Sequence, residues 1–219
     1  IYKNFKKKYS YKFRDFFIEK GNNLILKNDN VEINTNIYIP KGYNVIIYPG
    51  QKLLLTNGAF IISNSPWNIG GKNSSVVISG KEDDLGGGIL ISDTKETSKI
   101  ENTEFSNLAG LNFDQNSEYI ILGSINFHQT KVLIKDVVFK NIFSEDAINI
   151  FRSNFNIYNA NYANISSDAI DIDFSNGAII KAKFTNIEND AIDFSGSNVN
   201  VRSAYFDNVN DKIISAGEN

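Results

Sequence analysis

From Val132 onward the 219-residue chain repeats itself about every 22 residues, and few folds accommodate such a period. Phe139, Tyr162, Phe184 and Phe206 fall 23, 22 and 22 apart. Each is followed two residues later by Asn141, Asn164, Asn186 or Asn208, and then by Ile142, Ile165, Ile187 or Val209. Phe105, Asn107 and Leu108 fit the same frame one unit earlier, but the gap from Asn107 to Asn141 is 34, so that unit carries an insertion, placed between Asn112 and Tyr119. Within each unit apolar residues alternate over short stretches, as in Val132/Ile134, Phe155/Ile157 and Val199/Val201, which is the period of a strand. A β-sandwich also offers short strands, but it does not require one residue type at one phase in five successive units.

The pattern predicts an all-β chain, a parallel β-helix in which equivalent residues stack about 4.8 Å apart. Parallel crossovers are almost always right-handed, and the coil is expected to be so. Upstream alternations at 31–33, 37–39, 45–47, 53–55, 60–62, 76–78 and 89–91 suggest about three further coils, for about eight in all. Aromatic and aliphatic columns would fill the interior, and the Asn column would sit in a turn with its amides bonding along the stack. At the head, Phe5, Tyr9, Phe13, Phe16 and Phe17 recur at helical spacing, so residues 1–21 are expected to form an amphipathic helix that caps residues 22–219. The last coil ends at Ile213-Ile214-Ser215-Ala216 with no closing element. Further coils or a partner chain are expected at that open face.

Composition narrows the chemistry. The chain has no Cys, so thiol nucleophiles, disulfides and Cys-bound metals are excluded, and with one His no site can use two imidazoles. Residues 1–20 carry a net +5, so a total of -3 leaves -8 on the body, which argues against nucleic acid as a partner. No apolar run is long enough for a membrane span. A chain that begins at Ile1 and contains no Met is expected to have lost a leader or a preceding domain.

The segments YIPKGYNVIIYPGQKLLL, ENTEFSNL, SEDAINIFRSNF, SSDAIDIDFSNG and NDAIDFSGSNV resemble right-handed parallel β-helix proteins of the pectate-lyase-like superfamily. Over roughly residues 31–219 they are most similar to bacterial β-helix domains of undefined activity, some of which occur beside spore-coat kinase-like domains. In that group further coils normally follow the DKIISAGE segment. The fold together with its sets of Asp and a strip of Lys and Arg leads to the expectation of a secreted or cell-envelope protein that binds an acidic polysaccharide along its elongated face, with lyase-like cleavage as an option. The resemblance stops short of polygalacturonase-type hydrolases, because His128 sits in Phe-His-Gln and no Arg-Ile-Lys segment occurs.

An acidic column is expected at Asp146, Asp168, Asp190 and Asp211, with Asp171, Asp173 and Asp193 as a second set. Carboxylates stacked at the strand spacing repel by roughly 1 kcal/mol per neighbouring pair in water. Either a cation, calcium above all, offsets this at Asp171, Asp173 and Asp193, or each Asp of the first column accepts a backbone N–H at a turn. A shared-proton acid pair suited to glycoside hydrolysis is a further option. A β-helix lyase also needs a base, for which Lys181, Lys183 and Arg202 are the candidates, with Lys135, Arg152 and Trp67 binding substrate. The competing expectation is a non-catalytic structural or adhesive solenoid whose columns only hold the coil together. His128 is expected at a surface or turn.

Overall fold

The structure is a computed structural model and describes residues 12–112, 121 and 123–217. The repeat winds as a β-solenoid of two long sheets. One has 14 strands and the other has eight, one per coil, running from Ile37–Ile39 through Phe60–Ser63, Gly88–Ser92, Gly123–His128, Asp146–Phe151, Asp168–Asp173 and Ile192–Ser195 to Ser215–Ala216. In the 14-stranded first sheet each coil contributes two arms. They are continuous in the bent strands Thr97–Leu108, Lys131–Ile142 and Asn154–Ile165 and separate in Asn176–Ile180 and Lys183–Ile187. Apart from one edge pair at the head, every strand pairing is parallel.

Stacking in register follows the repeat. Phe105, Phe139, Tyr162, Phe184 and Phe206 form a single file, with successive ring centroids 5.0, 5.0, 4.9 and 5.0 Å apart. Ile142, Ile165 and Ile187 pair in the same register with Val209 at the end, and the three isoleucines are almost fully buried.

The coil bends at three corners, each marked by residues with left-handed backbone. One corner is the Asn column: Asn107, Asn141, Asn164, Asn186 and Asn208 have φ between 52° and 56°. Their amides link coil to coil, Asn164 Nδ2 donating to Asn141 Oδ1 and Asn186 Nδ2 to Asn164 Oδ1, both at 3.0 Å. Asn is among the few residues that enter this conformation at small cost, and its side chain both donates and accepts, so one residue type solves both problems. Asn102, Asp136, Asn159, Lys181 and Ser203 mark the second corner; Asp93, Gln129, Arg152, Phe174 and Gly196 mark the third. A hydroxyl ladder reinforces the third corner, with Ser153 N donating to Ser175 Oγ and Ser175 N to Ser197 Oγ, each at 2.9 Å.

Two expectations are corrected. There is no α-helix among the described residues of the head. Lys12–Asp15 is one 3-10 turn, and Phe17–Lys20 is a strand antiparallel to Asn23–Leu26. Residues 1–11 of the expected helix lie outside the described residues. Phe13 and Phe17 are buried, so the aromatic spacing does cover the core. A strand has the advantage of also supplying hydrogen bonds to the exposed edge of Asn23–Leu26, which a helix cannot. The connecting two-residue hairpin places Gly21 at φ 60°, where a tight turn asks for glycine.

Trp67 is the second correction. It pairs with Val45, points inward and is 0% exposed, so its ring offers no face to a sugar. Strand alternation decides this, because Asn68 takes the outward position beside it.

At the other end the inward residues Val199, Val201, Phe206 and Val209 are only partly buried. Replacing Asn164 by Ala should destabilise the fold by about 1–2 kcal/mol, through left-handed strain and two lost amide bonds. Asn164→Gly, which keeps the backbone freedom, should cost less. Urea denaturation of the two variants checks the order.

Candidate functional site

The outer face of the eight-stranded second sheet changes character along the solenoid axis. Toward the head it is apolar, with Tyr38, Phe60, Ile62 and Leu90 packed with Leu111 and Ile121, which flank the expected insertion; residues 113–120 lie outside the described residues. Beyond Leu90 the same outward column becomes Asn126, Asn149, Asp171, Asp193 and Ser215. Two other columns flank it. One runs Gly123, Asp146, Asp168 and then Asp190, and the other Ser92, His128, Phe151, Asp173 and Ser195. Asp211 does not continue the first column. Its N–H reaches Asn189 O, while Lys212 N donates to Asp190 Oδ1 at 2.8 Å, so Lys212 takes the position. Hydrogen-bond register counts residues, and matching Asp to Asp in the sequence slipped by one.

Asn149 is the centre of this face. Its Nδ2 donates to Asp171 Oδ2 at 2.6 Å and to Asp146 Oδ2 at 3.2 Å. Its Oδ1 therefore faces His128 Nε2, 2.9 Å away, and accepts the imidazole N–H. Burial holds the His128 pKa below its ordinary value, with the Asn149 bond and Asp93 opposing. Asp146 is 2% exposed, and burial first, then Asp171, pushes its pKa up to about 8. Asp171 is pushed up to about 7 by burial, then by Asp173 and Asp193. Burial also raises Asp168 and Asp173.

Carboxyl repulsion is thus relieved by three local means. The pKa of Asp146 is raised to about 8 and that of Asp171 to about 7, which favours their neutral forms below those values, an amide is interposed at Asn149, and backbone N–H groups are donated to Asp168 and Asp190 at 2.8 Å from the next coil. The last is the backbone-acceptor role expected for the first column, and it is made between coils. Among the described residues no three carboxylate or imidazole groups come together in a way that could hold a metal.

Along the rim, at the third corner, Arg152 lies 5.0 Å from the Phe151 ring centroid and 5.8 Å from that of Phe174. The two rings meet edge to face at 6.0 Å, and His128 meets Phe151 at 5.6 Å. Phe174 is unusual on two counts. It is 58% exposed, and its φ is 49°, a conformation that bulky side chains rarely adopt. Gly196 in the next coil makes room for it, since a Cβ there would lie 2.7 Å from the Phe174 ring.

The remaining basic candidates lie elsewhere. Lys135 and Arg202 do share an outward column of the first sheet, but Tyr158 and Ile180 stand between them. Lys181 occupies the second corner at φ 58°, and Lys183 pairs with Tyr205, its Nζ 5.6 Å from that ring. Of the five basic residues singled out in the sequence, Arg152 stands at the edge of the sheet that carries Asp171, Asp173 and Asp193, where Lys212 also closes the first acidic column. The spacing places Asn149 in one column with Asp171 and Asp193, as the structure does, but sequence reasoning missed its bond to His128 and missed Phe151 and Phe174. The signal was present in NIFR and DIDF, where the aromatic shifts by one residue between coils and so lands once on the face and once at the corner.

No family model matches the chain, and no curated protein matches it. Among solved structures it is similar to the Streptococcus pneumoniae surface protein and adhesin PfbA, at 14% identity over 84% of this chain and 70% of that one, with a TM-score of 0.30. No functional weight rests on a likeness of that size.

Asp146 and Asp171 hold protons in the folded chain at pH values where the unfolded chain, with an ordinary 3.8, has lost them. Their contribution to stability is full below about pH 4 and is lost as pH rises through 7 to 8. His128, depressed below 6.5, acts in the opposite sense on the acid side. Asp146→Asn should therefore stabilise the protein at pH 8 by roughly 1 kcal/mol or more and change little at pH 4. Denaturation at both pH values checks the sign.

Proposed function

We propose that this protein is a secreted or envelope-attached β-solenoid that binds an acidic polysaccharide along the outer face of its second sheet. The observation that carries the reading is Phe174, an exposed aromatic ring held in strained backbone and clamped by Arg152 beside a row of carboxyl and amide groups. The left-handed backbone is shared by every coil at this corner; what sets Phe174 apart is a bulky, exposed aromatic side chain placed there, where the other coils carry Asp93, Gln129, Arg152 and Gly196. A sugar ring has an apolar C–H face suited to Phe174 and Phe151, and hydroxyls suited to Asp171, Asp173 and Asp193. Arg152 supplies the fork of donors that a uronate carboxylate needs.

Calcium is proposed as a bridge in which sugar carboxylates supply most of the ligands and Asp171, Asp173 or Asp193 adds one, since the three do not gather around a single ion, most effective where pH has ionised Asp171. The coil is proposed to be right-handed, as parallel crossovers nearly always are. Binding without cleavage is favoured, because Lys183 and Arg202 belong to the first sheet and Lys181 to the corner between its two arms, while the carboxyl groups belong to the second sheet. A β-elimination centre needs base and carboxylate at one sugar.

The test is titration calorimetry with polygalacturonate and alginate, with and without calcium, while absorbance from unsaturated ends is followed. Saturable binding is expected, with no such product, and Phe174→Ala or Arg152→Ala should each weaken it about tenfold, the effect of about 1.4 kcal/mol. Failure to bind either polymer in any condition, or equal binding by both variants, refutes the reading.

A further inference from the structure

A concave surface lies at the head of the same corner, apart from the acidic face. A cleft of about 670 Å³ is lined by residues 41–44, by Asn68 and by residues 93–97, a volume within the range of small-ligand sites. Its walls are built and tied down. Tyr43 N donates to Ser65 Oγ at 3.1 Å, and Ser65 Oγ donates to Pro40 O at 2.6 Å, which fixes the turn on one wall. On the loop of residues 93–97, Asp93 N donates to His128 O at 3.0 Å and Thr94 Oγ1 is bonded to Thr130 Oγ1 and to Glu96 O.

The chemistry of the lining selects a class of ligand. Lys41 and Lys95 are matched by Asp93 and Glu96, so the cleft carries no net formal charge. That argues against a phosphate, a nucleotide or a polyanion, each of which needs an excess of donors with positive charge. What the cleft does offer is a short chain of hydrogen-bonded carboxamides: Asn44 stacks on Asn23, and Asn68, which pairs in register with Ile46, reaches Asn44 on the diagonal. Asn68 Nδ2 donates to Asn44 Oδ1 at 2.5 Å, and Asn44 Nδ2 to Asn23 Oδ1 at 3.3 Å. Such a row ends in a carbonyl at Asn68 and presents alternating donors and acceptors, the complement of adjacent sugar hydroxyls. Threonine hydroxyls at 94 and 97 stand on the loop side, and the Tyr43 ring, edge-packed against Phe13 at 5.5 Å, is a half-buried aromatic surface in the lining.

We infer that this cleft is a binding site for an uncharged oligosaccharide, with the Asn44–Asn68 amide row, Tyr43 and the Thr94 and Thr97 hydroxyls as its contacts. The inference is carried by different residues from those of the acidic face and does not depend on it. The two sites share an edge, since Asp93 and Phe174 occupy the same corner three coils apart, about 14 Å at the strand spacing. A chain with neutral and acidic units could therefore reach both.

The probes are neutral di- to hexasaccharides of glucose, galactose, mannose and N-acetylglucosamine, titrated into the whole chain by calorimetry. At least one series should bind saturably. Asn68→Ala and the space-filling Thr97→Tyr should each reduce its affinity about tenfold or more, while Phe174→Ala should leave it unchanged. Thr97 is exposed, so its variant tests the site without burdening the core. No binding by any probe overturns the inference, as does binding that Asn68→Ala and Thr97→Tyr leave intact. Binding lost only in Phe174→Ala also overturns it, and assigns neutral sugars to the acidic face. Polygalacturonate binding by the same samples is scored separately, so failure of one site is distinguishable from failure of the other.

Discussion

Every residue in this solenoid meets the residue at its own phase one strand spacing away, and that enforced self-contact governs the structure. For an aromatic ring the arrangement is favourable, and the file from Phe105 to Phe206 runs through five coils with nearly parallel rings. For Asn at a left-handed corner it is self-complementary, since each amide gives and receives the same bond. For a carboxylate it is unfavourable, and a stack of Asp must be discharged, separated or solvated.

The acidic face shows how that conflict is resolved and why chemistry collects there. Asn149 interrupts the carboxyl stack and ties Asp146, Asp171 and His128 into one network. Lys212 ends the first acidic column where a fourth Asp would stand. Phe151 and Asp173 share a column, and Phe174 takes the corner position held by Arg152 one coil before. Each of these is a departure from strict repetition. In a fold specified by repetition, such departures are the places where local rules yield to another demand, which is where a binding surface is expected.

Much of the fold was legible because its period is. The aromatic and Asn columns, the inward Ile positions and the long insertion could be read from spacing in a single unaligned chain. The Asp column was legible in outline and wrong in its last member, because identity of type suggested Asp211 where the count of hydrogen-bonded residues selects Lys212. The described part of the head, from Lys12 to Lys20, is a 3-10 turn and a strand where a helix is expected. Phe13 and Phe17 are four apart, a spacing that suits a helix, but the edge of Asn23–Leu26 had backbone groups to satisfy. Lys135 and Arg202 share the predicted phase, yet a shared phase is not a continuous strip when two other side chains intervene.

The sequence by itself determined the pitch and the contents of each column, because a periodic hydrophobic pattern leaves a chain one economical way to bury its apolar face. Which columns share a sheet was decided only by tertiary structure. The corners set that, and a corner depends on backbone conformations at residues as different as Asn102, Lys181 and Phe174. The same applies to the protonation of Asp146 and Asp171: their spacing is written in the chain, but the burial that raises their pKa arises only when the coils close over one another.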